Sequence, residues 1–364
     1  MHRAGNSMLK VGIIGGAFAG TLHAEGWLNT KKATIVAMSS QSERTRADFV
    51  GRFGGKSYQD PLEMIENEDL DVISLTLPNK FHHPLAIKAL NKKIHVVCEK
   101  PLSMNLQQAK EMIEAAKANN VQLFYAEQIV FSARYKKVKE LLDQGAFGSL
   151  LHVSHRERHG GPHANWFFDP TLSGGGVTLD MGIHGIGILQ WLLRPAKVTH
   201  VYARINSIKP EYELDDHCLI TMEFDNGVLA TVDASWAAPG GVDDVLEVLG
   251  RDGYVRADLA RGAAIDVYSL TGVGYATEKV EIEKGWLKVS HEEAQTWGWY
   301  AEIEHFAKCI LENQTSEMSG EDGLAALKVA IAAYESAATN KRIKVDEAKA
   351  VEFPAELWLK RNLT

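Results

Sequence analysis

The sequence predicts two domains: an α/β domain on a parallel sheet, then an α+β domain with a large, mostly antiparallel sheet. Three observations predict this. The first third alternates short apolar runs with helical patterns. A glycine-rich turn, Gly15-Gly16-Ala17-Phe18-Ala19-Gly20, joins the first such run to the first helical stretch. After about Gln128 the apolar runs give way to strict alternation.

The expected strands of the first domain, residues 8–128, are Leu9–Ile14, Ala33–Met38, Val72–Leu77, Ile94–Val97 and Val121–Tyr125. Helical stretches separate them: one from about Thr21, then PLEMIENEDL, PLAIKALNKK and LQQAKEMIEAAKANN. Right-handed crossovers bring the C-terminal ends of all these strands to one edge, where ligands bind. The second domain, residues 129–364, opens with a helix at Tyr135–Gln144, ended by Gly145. In HCLITMEF, Cys218, Ile220, Met222 and Phe224 share one face, and His217, Leu219, Thr221 and Glu223 the other. Asp225-Asn226-Gly227 is a hairpin signal, followed by Val228, Ala230, Val232, Ala234 and Trp236 in phase. Arg251-Asp252-Gly253 marks another turn. One face of this sheet should lie on a helix, and the other is open to a subunit contact.

Composition excludes several classes of function. The chain has 364 residues, 45% hydrophobic and 24% charged, as in globular domains. A formal charge of −8 gives no basic face for nucleic acid or an anionic membrane. No run of about 18 apolar residues exists to span a bilayer. The opening MHRAGNS lacks the apolar core of a signal peptide, and Met8 is a candidate working start. Three scattered cysteines, Cys98, Cys218 and Cys309, form neither a disulfide framework nor a CxxC metal motif, which points to the cytoplasm.

The glycine turn can cradle a pyrophosphate at the helix N-terminus, although Ala17 stands where the second glycine of GxGxxG belongs. The second strand ends in AMSSQSER. Ser39, Ser40 and Gln41 stand where an acid would bind a ribose 2′-hydroxyl, and Arg44 and Arg46 follow, so NADP is favoured over NAD, with NAD still open. Glu99-Lys100-Pro101 caps the fourth strand on the ligand edge, and the proline is a candidate for a cis peptide. In SGGGVTLDMGIHGIGILQWLL, Asp180 and His184 stand four residues apart on one helical face. Gly182, Gly185 and Gly187 keep that region slim. HVSHRERHGGPHANWFF places His155 and Glu157 on one strand face, Arg156 and Arg158 on the other, and His159, His163, Asn165 and Trp166 on a loop. Polar and aromatic side chains of this kind suit a polyhydroxylated ring. His155, Glu157, His159 and His163 are chemically able metal ligands, but their spacing is not diagnostic and no metal is expected. Phe167 and Phe168 read as core, and WGWY at Trp297–Tyr300 as a candidate pocket wall.

Taken in order, these motifs, with Pro78-Asn79-x-x-His82 after the third strand, resemble the Gfo/Idh/MocA oxidoreductases over essentially the whole chain. The resemblance implies a Rossmann domain that binds NAD or NADP and a second domain for substrate binding and oligomerisation. It implies catalysis by Lys100, Asp180 and His184. Cofactor contacts would come from Gly15, Ala17, Phe18, Ala19, Ser40, Thr76, Pro78, Asn79, His82, Glu99 and Glu127. Substrate contacts would come from His155, Glu157, His163 and Trp166. The implied activity is hydride transfer at a secondary alcohol of a sugar, inositol or derivative, by a homodimer or homotetramer. Two alternatives stand beside it: an NAD-dependent glycosidase working by transient oxidation and elimination, and a cofactor-binding sensor without turnover.

Overall fold

The computed structural model describes residues 8–162, 164–209, 212–238, 241–260, 265–273, 283–289 and 293–362. The chain forms two compact units. The first comprises the residues up to Gln128 together with Gly298–Leu324; the second comprises Ile129–Trp297 and the residues from Ala325 on.

In the first unit six strands, β1 (Leu9–Ile14), β2 (Ala33–Ser39), β3 (Lys56–Tyr58), β4 (Val72–Leu75), β5 (His95–Glu99) and β6 (Leu123–Ala126), form a sheet in the order β3-β2-β1-β4-β5-β6. Every pairing is parallel. Helices α1 (Phe18–Asn29), α2 (Glu43–Phe53), α3 (Pro61–Asn67), α4 (His82–Asn91) and α5 (Leu106–Asn119) make the crossovers. β1, β4, β5 and β6 are almost wholly buried and mostly apolar, as a doubly covered parallel sheet requires. β3 was not foreseen. It is a three-residue edge strand, KSY, mostly exposed, and carries no apolar run to reveal it. The strand order reverses between β1 and β4, which opens a crevice at their C-terminal ends.

A linear reading of the chain did not provide for the return of Gly298–Leu324 to this unit. Its helix, Trp299–Glu312, lies along α1 so closely that a methyl group on Gly26 would stand 2.9 Å from Ile303. Phe306 stacks on Phe124 with ring centroids 4.6 Å apart. Beyond it, the Tyr125 amide donates to the Met318 carbonyl, and Ser319 bridges to Phe124, so the segment covers the β6 edge of the sheet.

The second unit contains α6 (Ala133–Asp143), β7 (Leu150–Arg158), α7 (Pro170–Ser173), α8 (Val177–Asp180), α9 (Gly182–Leu192), β8 (Val198–Asn206), β9 (His217–Phe224), β10 (Leu229–Ser235), β11 (Asp243–Gly250) and β12 (Tyr254–Asp258). It continues with β13 (Ile265–Val273), β14 (Glu283–Val289) and α10 (Glu293–Thr296). The helix of the first unit at Trp299–Glu312 is α11; α12 (Gly320–Thr339) follows, then β15 (Ile343–Lys344) and α13 (Glu356–Leu359). The large sheet runs β12-β11-β7-β10-β9-β8-β15, antiparallel except for β7 with β10. β13 and β14 pair separately.

The alternation read from the sequence appears as burial. Cys218, Ile220, Met222 and Phe224 are buried with Ala230, Val232, Ala234 and Trp236. Against this inner face lies α9, where a methyl group on Gly185 would meet Val232 at 2.6 Å. The outer face mixes ion pairs, Arg156 with Asp243 at 2.7 Å and Arg342 with Glu223 at 2.6 Å, with exposed Tyr202, Leu219, Leu229, Leu249 and Tyr254.

Asp215, wholly buried, organises the unit's centre. Its carboxylate accepts from the Gly176 and Thr178 amides at 3.0 and 2.8 Å and from the Tyr334 hydroxyl at 2.8 Å, while its carbonyl accepts from the Val177 amide. Together these satisfy the amides that open α8. Asp215→Ala keeps the backbone carbonyl for Val177 but takes the carboxylate from the Gly176 and Thr178 amides and the Tyr334 hydroxyl, and should lower the stability of this unit by about 2–4 kcal/mol in urea unfolding.

Candidate functional site

The crevice of the first unit is shaped by backbone contact. Gly15 sits at φ +97°, its amide donates to the Ser39 carbonyl at 2.8 Å, and a Cβ there would lie 2.0 Å from the Thr76 carbonyl oxygen. The Thr76 hydroxyl donates to the Gly15 carbonyl at 2.7 Å. A Cβ on Gly20 would lie 1.9 Å from that same carbonyl. Only glycine fits either position. At Ala17 the N-terminus of α1 has no side-chain cap and no acid in the first turn, so its amides are left to an outside acceptor. Ala17 is exposed, with Phe18 and Ala19 partly so. These residues and this dipole fit a dinucleotide pyrophosphate.

At the end of β2, the Ser40 amide donates to the Tyr58 carbonyl. The Arg46 guanidinium donates to the Ser40 and Gln41 carbonyls at 2.6 and 3.0 Å, which holds a cation on this turn. After β4, Asn79 is buried and begins a short 3-10 turn. His82, also buried, ties two loops together: one ring nitrogen lies 2.9 Å from the Pro101 carbonyl, the other 2.9 Å from the Leu77 carbonyl. Burial pushes its imidazole below the ordinary value, while both carbonyls pull upward. The Lys100–Pro101 peptide is cis. The Lys100 amide donates to the Glu99 carboxyl at 3.2 Å, and the other oxygen of Glu99 lies 3.1 Å from the His23 ring. Glu127, just past β6, is fully buried. Lys100, Glu99 and Glu127 therefore stand at the C-terminal edge of the sheet. Sequence reading passed over His23, whose position inside α1 gave no sign of its partner 76 residues on.

In the second unit Asp180 and His184 do not share one unbroken helix. Met181, with φ −105°, separates α8 from α9; Asp180 ends the first helix, and His184 lies in the first turn of the second. Both are buried. The Trp236 indole N–H donates to an Asp180 carboxylate oxygen at 2.9 Å. Trp236 reads in sequence as one more in-phase core residue, so this fixing role was missed. The slimness expected of the glycines holds at Gly185, where a methyl would lie 3.0 Å from the His155 ring.

His155 and Glu157 lie on the inner face of β7, 1% and 2% exposed. His155 is 3.4 Å from Asp244, which also accepts a hydrogen bond from the Tyr135 hydroxyl. Trp166 is partly exposed and stacks on buried Phe167 at 3.8 Å. Phe168 packs on Tyr212 and Trp236. His163 lies outside the described residues. Trp299 of WGWY is interior to the first unit, edge-on to Phe18 and His23. Among the described residues no three His, Cys, Asp or Glu side chains form a metal-ligand group, and no helix is long and apolar enough to cross a membrane. The three cysteines are free and buried.

Comparisons with known proteins agree with this fold. Residues 9–127 match the model of an oxidoreductase family with an NAD-binding Rossmann fold, and residues 135–256 match the GFO/IDH/MocA C-terminal domain. The chain is 29% identical to myo-inositol 2-dehydrogenase of Thermotoga maritima, over 93% of this chain and 99% of that one. It is 26% identical to scyllo-inositol 2-dehydrogenase (NAD(+)) of Bacillus subtilis, over 94% and 98%. The crystal structure of GenD2 from gentamicin A biosynthesis, in complex with NAD, superposes with a TM-score of 0.88 at 26% identity, covering 93% of this chain and 97% of that one.

Gly15→Ala forces a side chain against the Thr76 carbonyl. It should lower NAD affinity by about 100-fold or more in a titration, a loss of roughly 3 kcal/mol, with a lower thermal midpoint.

Proposed function

Because this chain belongs to the Gfo/Idh/MocA oxidoreductase family, we propose that it is an NAD(P)-dependent dehydrogenase. It moves a hydride between the cofactor and a secondary alcohol of a polyhydroxylated ring: a cyclitol, a sugar or a sugar derivative. The observation that carries this reading is the side-chain-free cradle at Gly15 and Gly20, with Lys100 at the far end of the same strand edge.

The dinucleotide, when bound, supplies the hydride acceptor. Gly15, Ala17, Phe18, Ala19 and the first amides of α1 hold its pyrophosphate; Thr76, Pro78, Asn79 and His82 line the crevice; Glu99 and Glu127 serve the nicotinamide end. Lys100, as an ammonium, stabilises negative charge growing on the substrate oxygen. His184 takes the hydroxyl proton, since an imidazole titrates near working pH. Asp180, fixed by Trp236, orients the hydroxyl or the imidazole. Trp166 and His163 are our candidates for contact with the ring, with His155 and Glu157 serving it from the covered face of β7.

Two details are finer. NADP is our choice over NAD, because Ser39, Ser40 and Gln41 at the end of β2 include no carboxylate to repel a 2′-phosphate, Ser40 offers a hydrogen bond, and Arg46 is tethered to that turn. For the assembly we choose a homodimer or homotetramer formed through the outer face of the large sheet, where exposed Leu219, Leu229 and Leu249 lie among polar neighbours. A cytoplasmic setting fits three free thiols.

Incubation with NAD or NADP and a panel of cyclitols, aldoses and glycosides, followed at the absorbance of reduced nicotinamide, separates the alternatives. A dehydrogenase reduces cofactor in proportion to substrate. A glycosidase releases aglycone without net reduction. A sensor binds without turnover.

Lys100→Ala and His184→Ala should each lower kcat by about 10²–10⁴-fold, with dinucleotide affinity changed less than about tenfold. Lost affinity with turnover of the bound complex intact would remove both from catalysis. Leu229→Glu should shift sedimentation toward the monomer, since a buried unpaired carboxylate costs several kcal/mol.

A further inference from the structure

Glu99, Glu127 and Glu302 form a buried group of three carboxyls in the first unit. Glu99 ends β5 and is 7% exposed; Glu127 follows β6 and Glu302 lies in the first turn of α11, both fully buried. Neither oxygen of Glu302 has a hydrogen-bond partner of normal geometry. The charged groups that bear on it are the other two carboxyls, and the backbone N–H of Glu127 pulls only weakly the other way.

Other polar groups surround the cluster. The His23 ring on α1 meets Glu99, its Nδ1 unpartnered, and the Lys100 amide meets the other oxygen of Glu99. The indole N–H of Trp299 on α11 and the hydroxyl of Tyr125 on β6 are buried without partners. Ionising Glu302 here is costly, because its charge would lie away from water and be repelled by the other two carboxyls.

We infer that Glu302, buried beside Glu99 and Glu127 with neither oxygen in a hydrogen bond of normal geometry, stays a neutral carboxylic acid. Burial, then Glu99 and Glu127, push its carboxyl well above the ordinary value of 4.5. A carboxyl shifted upward in the folded state gives stability that is full below that ordinary value and is lost as pH rises toward the folded value. Glutamine, which has no proton to lose, lacks this slope.

The test compares wild type with Glu302→Gln, both without cofactor, by thermal unfolding from about pH 5 to 9. The midpoint of the variant relative to wild type should rise with pH by about 2 °C or more, the effect of one pKa unit in a domain of this size. A difference that stays constant across the range overturns the assignment.

A second measurement addresses the same proton and rests on the dehydrogenase reading. NADH affinity at pH 7, by fluorescence titration, should stay within about threefold in Glu302→Gln, because one neutral group replaces another of the same shape. Loss beyond about tenfold would mean that an ionised carboxylate is needed there, and would equally overturn the proposal. A wild type that binds no dinucleotide defeats the dehydrogenase reading instead, and the unfolding comparison still decides the proton on Glu302.

Discussion

The first unit depends on one close approach of backbone to backbone. The β1–α1 turn lies against the end of β4 with no space for a Cβ at Gly15 or Gly20. That contact lets α1 start directly after the strand, with no side-chain cap on its first amides. The pieces that follow are held by the same economy of space. His82 joins the loop after β4 to the loop after β5 through two carbonyls, and so sets the Lys100–Pro101 corner against the Asn79 turn. Interior backbone must find partners, and here the partners are also what shapes the ligand edge.

The second unit solves a related problem with a carboxylate. The glycine run before α8 exposes amides in a dry interior, and Asp215 accepts from them while Tyr334 donates to it. α8 and α9 are then placed on the inner face of the sheet, with Gly185 against Val232. The result is a buried Asp180 whose orientation is fixed by Trp236 and a buried His184 one helix further on. Met181 interrupts what periodicity alone reads as continuous helix, because an apolar pattern does not reveal where helical hydrogen bonds give out.

Much of the fold was legible. Parallel strands buried on both faces must be apolar throughout, and a half-buried sheet must alternate, so β1, β2, β4, β5, β6, β9 and β10 announced themselves. β3 did not, since a short exposed edge strand needs no apolar residue. Of the candidate site, motifs tied to local backbone geometry could be read: the glycine turn, the lysine and proline after β5, and the Asp and His around α8 and α9. Partners distant in sequence could not. Nothing near His23 announces Glu99, and nothing near Asp180 announces Trp236.

The sequence by itself determined the two sheet types, the order of the first unit's crossovers and the family, because hydrophobic period and glycine placement are local constraints that each segment must satisfy alone. Tertiary structure decided that α11 returns to lie on α1, and so that Glu302 joins Glu99 and Glu127 in a dry interior. Burial and mutual repulsion arise only when distant segments pack, so the protonation state of that carboxyl belongs to the folded chain and not to any stretch of it.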